Sequence, residues 1–133
     1  MSRLARLAAG LELPLLVLAP TNVRYLTGLS SSNAAVLVTP DREATLYTDF
    51  RYREKAGAVE GVELVETPRD LIGALGTQLK GRRIEFEAPH VSYFNHRRLA
   101  EAGIDLVPVG SVSSDVKWGP VESLRAEEGS RRA

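Results

Sequence analysis

Few side chains in this sequence are of the types that perform hydrolytic or metal chemistry. The two histidines, His90 and His96, are six residues apart, so on one helix they would lie on different faces and would not form an i, i+4 metal pair. The sequence contains no cysteine, which excludes disulfides, thiolate zinc sites and cysteine nucleophiles. We therefore interpret both histidines as surface residues and predict no metal site.

The run of three serines, Ser30, Ser31 and Ser32, is a second candidate for chemistry. A serine nucleophile elbow needs the pattern Gly-x-Ser-x-Gly directly after a strand. Here Gly28 precedes the run, but the second glycine is missing and a predicted helix, not a strand, comes before it. No base stands in a recognisable motif with these serines, so the sequence gives little support to a small serine hydrolase.

The carboxylates form two pairs, Asp49 with Glu54 and Glu85 with Glu87. Glu85 and Glu87 alternate along a predicted strand and so share one face, while Phe86 points the opposite way. A general acid and base would need a third group or a metal ligand nearby, and the sequence places none there. We therefore interpret Glu85 and Glu87 as a solvated face, and we predict no catalytic residue.

The elements that hold these side chains alternate between helix and strand. Helical spacing and capping signals predict five helices, over residues 2–11, 22–27, 49–58, 68–80 and 92–102. Short apolar runs predict six strands, over residues 13–19, 34–39, 44–48, 62–66, 83–87 and 104–109. This order predicts an α/β fold with a mixed, mainly parallel sheet, one antiparallel hairpin and helices on both faces.

Local signals place the ends of two of these helices. Thr21 is predicted to cap the second helix, and Gly28 supplies a left-handed stop at its end. Thr67 is predicted to cap the fourth helix, with Pro68 at the first helical position.

The composition indicates a single domain without a nucleic-acid or membrane partner. The chain has 133 residues, with 17 Lys and Arg balanced by 17 Asp and Glu. The chain has a net charge of zero, so it lacks the surplus of positive charge that nucleic acids and anionic membranes attract. The longest apolar run, 13–19, is shorter than the ~20 residues that span a bilayer, and residues 1–10 do not follow the pattern of a signal peptide. We therefore expect a cytoplasmic protein.

One segment of the chain resembles a known family. Residues 22–28, Asn-Val-Arg-Tyr-Leu-Thr-Gly, resemble the Asn-x-x-Tyr-Leu-Thr-Gly segment of N-terminal domains in the creatinase/prolidase/aminopeptidase P (Xaa-Pro peptidase) family. The similarity continues through residues 35–39 and 47–52 and extends from residue 2 to about residue 117. The residues that match the family motif are Asn22, Tyr25, Thr27 and Gly28.

The resemblance implies a fold similar to ribonuclease H-like domains and a non-catalytic role. In the family, a following catalytic domain binds two divalent metals, manganese or cobalt, and hydrolyses Xaa-Pro or related C–N bonds by two-metal chemistry. On this basis residues 1–110 are expected to form the N-terminal domain, with no cofactor of its own. Residues 111–133 are expected to be a linker and the truncated start of the catalytic domain.

The resemblance also implies where this domain meets its partners. The expected partner is the catalytic domain of the same or a neighbouring subunit, with a possible homodimer, and the expected roles are dimerisation and substrate access. The candidate substrate-entrance or interdomain residues are Leu29, Ser30, Ser31, Ser32, Asn33, Asp49, Arg51 and Tyr52.

Purely structural roles are the alternative for several of these residues. Asn22 and Thr27 are plausible caps, Tyr25 a core residue, and Asp49 with Arg51 a capping pair. For the whole chain, the alternative function is a stand-alone small α/β binding or regulatory protein.

Overall fold

The structure, a computed structural model, describes residues 2–109, in which five helices alternate with six strands. The helices are α1 (Arg3–Ala9), α2 (Pro20–Thr27), α3 (Arg53–Gly57), α4 (Leu71–Gln78) and α5 (Tyr93–Glu101). The strands are β1 (Leu15–Val17), β2 (Ala34–Val38), β3 (Ala44–Asp49), β4 (Glu63–Thr67), β5 (Arg83–Glu87) and β6 (Asp105–Val109). The predicted segment 111–133 lies outside the described residues.

The six strands form one mixed sheet in the order β4-β3-β2-β1-β5-β6. Strand β2 runs opposite to the others, so it pairs antiparallel with both β1 and β3, while the remaining three pairings are parallel. The predicted mixed, mainly parallel sheet and the β2–β3 hairpin are confirmed. The β1–β2 pair is a second antiparallel pairing, which follows from the reversed direction of β2.

Helices cover both faces of the sheet, as predicted. Because side chains alternate along a strand, each strand supplies apolar residues to two separate layers. The layer beneath α1, α2 and α3 includes Leu7, Val17, Val23, Val36, Leu46 and Ala56. The layer beneath α4 and α5 includes Leu16, Leu37, Leu71, Leu75, Ile84 and Leu99. Each fully buried leucine contributes roughly 1.5–3 kcal/mol relative to exposure, so these two layers stabilise the sheet from both sides.

Helix α2 begins at Pro20, two residues earlier than a cap at Thr21 predicts. Ala19 is the N-cap residue, it makes no side-chain capping bond, and Pro20 occupies the first turn. Proline fits there because its missing N–H would have no intrahelical partner. The prediction of Thr21 as cap was wrong, whereas the left-handed stop at Gly28, with φ of 79°, is confirmed.

Helix α4 begins three residues later than predicted. Thr67 is the last residue of β4, and the N-cap is Asp70, whose Oδ1 accepts from the Gly73 N–H at 3.2 Å. Arg98 on α5 also donates two hydrogen bonds to the Asp70 carboxylate, from Nη1 to Oδ1 at 2.9 Å and from Nη2 to Oδ2 at 2.6 Å. The prediction of Thr67 as the cap and Pro68 as the first helical residue was therefore wrong. The ion pair with Arg98 favours a start at Asp70.

None of the helices within residues 2–109 has the length and hydrophobicity needed to cross a membrane.

Candidate functional site

The edge of the sheet at which every strand except β2 ends, hereafter the carboxyl edge, brings most of the predicted site residues together. Because β2 is reversed, it begins at this edge, and Ala34 at its start pairs with Thr48 near the end of β3. Segment 29–33, which leads into β2, therefore meets the turn that follows β3. Ser32, Asn33, Asp49, Arg51 and Tyr52 lie in contact there and are called the polar cluster below.

Asp49 is the centre of the polar cluster. It is the last residue of β3, and its side chain is completely buried. Arg51 donates its backbone N–H and its Nε to Asp49 Oδ1 at 3.0 and 2.9 Å, and its Nη2 to Oδ2 at 2.8 Å. These bonds, chiefly those from the guanidinium, hold the pKa of Asp49 well below its ordinary value despite burial. The carboxylate therefore stays ionised.

Asn33 connects the polar cluster to helix α4. Its Nδ2 donates to Asp49 Oδ2 at 2.7 Å and to the backbone oxygen of Arg69 at 3.0 Å. Its own backbone oxygen accepts from Thr48 Oγ1 at 2.7 Å. One side chain thus joins the start of β2, the end of β3 and the residues before α4.

Ser32 and Tyr52 form the outer part of the polar cluster. The two hydroxyl oxygens are 2.8 Å apart, and the hydrogen bond with Ser32 lowers the pKa of Tyr52. Ser31 Oγ accepts from the Asn33 N–H at 3.0 Å, which closes the segment on itself. The Arg51 guanidinium lies 5.4 Å from the centre of the Tyr52 ring. Segment 29–33 is therefore held against the end of β3 and the turn that follows it.

Two residues of the predicted set lie elsewhere. Leu29 is only 3% exposed and packs in the layer beneath α1, α2 and α3, so it anchors the segment in the core. Ser30 is exposed and faces a separate groove formed with Gly28 and Lys55. The apolar character of Leu29 was the signal for this burial.

A cleft of about 360 Å³ opens beside the polar cluster, between the starts of α4 and α5. Ser32 and Asn33 form one wall. The other polar side chains that line it are Arg69, Asp70, His90, Asn95 and Arg98. Sequence reasoning missed these residues as site residues, because they come from distant segments and no local motif connects them.

The family-motif residues Asn22, Thr27 and Tyr25 make contacts within the domain. Asn22 is buried and is not a cap, because its Nδ2 donates to Glu87 Oε2 at 2.5 Å. Thr27 closes α2, since its Oγ1 donates to the Val23 oxygen at 2.7 Å and accepts from the Leu29 N–H at 3.0 Å. Tyr25 is half-buried against the core, and the guanidinium of Arg3 lies 4.1 Å from its ring centre.

Glu85 and Glu87 do not form a solvated face. They are 2% and 1% exposed, on the side of the sheet that carries α2. Burial raises the pKa of Glu87 to about 7, although N–H groups of Asn22, Ala19 and Leu18 partly offset it. The prediction was wrong because strand alternation gives a shared face but not the solvent exposure of that face.

The histidines are separate from one another. His90 is exposed at the cleft, as predicted for a surface residue. His96 is half-buried, with its ring centre 5.2 Å from that of Phe86, so the surface prediction holds less well for it. Among residues 2–109, no group of three or more His, Asp or Glu side chains is placed to hold a metal ion. Asp49 and Glu87 are already engaged by Arg51 and Asn22, so these residues do not fit a two-metal centre.

Comparison with known protein families shows to which family this chain belongs. The family profile described as the Creatinase/Prolidase N-terminal domain matches residues 4–125. The chain belongs to this family. The match includes all but the first two described residues and confirms the resemblance seen in the motif at residues 22–28.

Relatives of this creatinase/prolidase N-terminal domain are peptidases. An uncharacterized peptidase, YqhT of Bacillus subtilis, is 32% identical over 101 residues, which are 71% of this chain and 28% of the relative. The N-terminal domain of the cytoplasmic peptidase PepQ from Mycobacterium tuberculosis is 34% identical, with a TM-score of 0.68 over 92% of this chain and 97% of that one. The chain therefore spans a whole N-terminal domain but about a quarter of the curated relative.

A larger solved structure shows the same fold. The Xaa-Pro dipeptidase from Bacillus anthracis has a TM-score of 0.71 over 81% of this chain, at 23% identity. The matched part is 32% of that protein. The domain fold therefore occurs as one part of a much longer peptidase.

Proposed function

We propose that this domain is a non-catalytic accessory domain that borders the substrate entrance of an Xaa-Pro peptidase or related catalytic domain. That catalytic domain would belong to the same or a neighbouring subunit. The polar cluster and segment 29–33 would form the border. The observation that carries the proposal is the network around Asp49, which fixes an exposed polar segment to the rigid carboxyl edge of the sheet.

A border that limits substrate size must keep its shape. Segment 29–33 meets this need because it is fixed at both ends, by buried Leu29 and by the Asn33–Asp49 hydrogen bond. Sites whose side chains are held by packing and supporting hydrogen bonds on rigid elements are more accurately positioned than free loops. Ser32, exposed between these two anchors, is the residue we place nearest the substrate path.

The surface beside the polar cluster suits a protein contact. Phe50 is 58% exposed in the turn after β3, next to the exposed guanidinium of Arg51 and the ring of Tyr52. Aromatic and arginine side chains are enriched at the energetic centres of protein interfaces, where their burial contributes most to binding. We therefore infer that Phe50 and Arg51 contact the catalytic domain.

The reaction chemistry would belong to that catalytic domain. Two divalent metals, manganese or cobalt, would supply hydrolysis of an Xaa-Pro or related C–N bond there. The described residues of this chain would only border the substrate entrance, orient the substrate and exclude substrates that are too large. A homodimer and a cytoplasmic location are further parts of the proposal, the second because the relative PepQ is described as a cytoplasmic peptidase.

Site-specific cross-linking tests the contact. The chain has no cysteine, so Ser32→Cys gives this domain one thiol at the border, and alkylation with a benzophenone maleimide makes it photoreactive. The chain carrying it replaces the matching N-terminal part of the Bacillus subtilis peptidase. Cysteines in the peptidase part are replaced by serine. The matched control is Asp41→Cys, in the exposed β2–β3 turn at the opposite edge of the sheet.

The proposal predicts that the group at residue 32 cross-links to the catalytic domain and the group at residue 41 does not. Mass spectrometry of the digested product locates each cross-link. Equal cross-linking from both positions, or none from residue 32, would contradict the proposed border.

A further inference from the structure

The contact between helix α2 and strand β5 contains two buried oxygens without a donor. Asn22 Nδ2 donates to Glu87 Oε2 at 2.5 Å, and both side chains are at most 1% exposed. Yet Asn22 Oδ1 and Glu87 Oε1 are completely buried and have no hydrogen-bond partner among the described residues. Leaving such atoms unpaired costs about 1–3 kcal/mol each, so a missing donor is expected at this contact.

A single proton supplies that donor. An ionised carboxylate only accepts hydrogen bonds, whereas a protonated one also donates through its hydroxyl. A proton on Glu87 Oε1 would let this oxygen donate to Asn22 Oδ1, while Oε2 continues to accept from Nδ2. Both unpaired oxygens would then be satisfied, and no charge would remain buried in the contact.

Burial, more than any neighbouring group, favours the neutral form of Glu87. On its own strand, Glu85 is the titratable neighbour on the same face. From β6 the paired residue is Val109. The backbone N–H groups of Leu18 and Ala19, which follow β1, and the Asn22 amide on α2 favour the charged form, but they only partly offset the effect of burial. No cation of the described residues is among the causes that shape the pKa of Glu87, and burial is the largest of them.

We propose that Glu87 and Asn22 form a carboxylic acid–amide pair, and that loss of its proton is a switch that loosens helix α2 and segment 29–33. The proton goes to solvent and leaves a buried carboxylate facing the amide oxygen. The two then repel each other, and relief comes from separation of α2 from β5.

The path from the acid–amide pair to segment 29–33 is short. Asn22 lies in the first turns of α2, and that helix ends at Thr27. Thr27 Oγ1 accepts from the N–H of Leu29, the buried anchor of the segment. Movement of α2 therefore acts directly on one end of the segment. The consequence for substrate access rests on the proposed function, but the protonation itself does not.

Carbon-13 NMR of glutamate side-chain carboxyl groups in the full 133-residue chain tests the pair. Glu87→Gln removes one signal and so assigns it, and Glu85→Gln is the control that should leave that signal in place. The proposal predicts that the Glu87 signal titrates near neutral pH, at about 7. Titration of Glu87 near the ordinary value of 4.5 would overturn the proposal.

Hydrogen exchange, corrected for intrinsic rates, tests the switch. In the wild-type chain, protection of amides 22–33 should fall about ten-fold as Glu87 loses its proton. Glu87→Gln should keep its protection at every pH, because the glutamine amide both donates to and accepts from Asn22. Equal pH dependence in the two chains would overturn the switch. Since both measurements use this chain alone, they fail or succeed independently of the cross-linking result.

Discussion

Two buried carboxylates in this domain have opposite pKa shifts. Asp49 ends β3 and Glu87 ends β5, each is followed by a short 3-10 turn, and both are at most 1% exposed. Asp49 meets the Arg51 guanidinium, and its pKa falls. Glu87 meets the neutral amide of Asn22, and its pKa rises to about 7. The comparison teaches that the partner, more than the burial, decides whether a buried carboxylate is charged.

The two carboxylates also make opposite contributions to stability as pH changes. The pKa of Asp49 is lowered, so its contribution is present above its ordinary value of 3.8 and is lost as pH falls through the folded value. The pKa of Glu87 is raised, so its contribution is complete below 4.5 and is lost as pH rises to about 7. Together they favour a stability maximum in mildly acidic solution.

The largest expected effect comes from Glu87→Gln, which replaces the acid by a permanently neutral amide. Relative to wild type, the free energy of unfolding of this variant should rise by about 3 kcal/mol between pH 4.5 and pH 7 and stay constant above that. Urea unfolding at a series of pH values measures the difference. A difference that does not change with pH would show that folding does not raise the pKa of Glu87.

Asn22→Leu should have the next largest effect. It removes the amide that donates to Glu87 Oε2 but keeps a side chain of similar size. The lost hydrogen bond to a buried group should lower the free energy of unfolding by about 2 kcal/mol at pH 7. Asn95→Leu, at a half-buried position in α5, is the control and should change stability by less than about 0.5 kcal/mol. Equal effects at the two positions would contradict a special role for Asn22.

Asp49→Asn should have a smaller effect on stability, because the Arg51 side chain is 38% exposed and water can replace the carboxylate as its partner. The variant should unfold at lower temperature than wild type at pH 7, and the gap should shrink as pH falls below 3.8. Thermal unfolding at pH 3 and pH 7 measures both. The amides of segment 29–33 should also exchange faster, and unchanged exchange there would mean that Asp49 does not hold the segment.

Arg53→Gln should have the smallest effect. Arg53 pairs with Glu66 at 2.7 Å, but their side chains are 68% and 45% exposed. Exposed ion pairs contribute little, since water and salt screen them. Thermal unfolding at low and high salt should show no change beyond error, and a clear loss of stability would show that charge pairing matters here without burial.

Sequence reasoning predicted the fold well because its signals are local. Apolar periodicity placed all six strands and five helices of the described residues, and Gly28 marked the end of α2. It failed at the starts of α2 and α4, where Thr21 and Thr67 had capping chemistry but other residues made the first turns. The position of the Asp70 cap depends on Arg98, which is 28 residues away in the chain.

The site was only partly predictable for the same reason. The segment that follows the motif at residues 22–28 and the block containing Asp49 do meet at the carboxyl edge, through Ser32–Tyr52 and Asn33–Asp49 contacts. The burial of Glu87 was missed, since strand alternation does not reveal which helix covers a face. Its link to Asn22 spans 65 residues and carries no local signal.

The central claim is that this domain borders a substrate entrance. The most direct test is the peptidase kinetics of a chimera in which this chain replaces the N-terminal part of the Bacillus subtilis peptidase. Ser32→Trp should lower kcat/KM about ten-fold for longer Xaa-Pro peptides relative to a dipeptide, while Asp41→Trp should leave the ratio unchanged. If neither substitution alters the ratio, or if both alter it equally, the carboxyl edge does not limit substrate access.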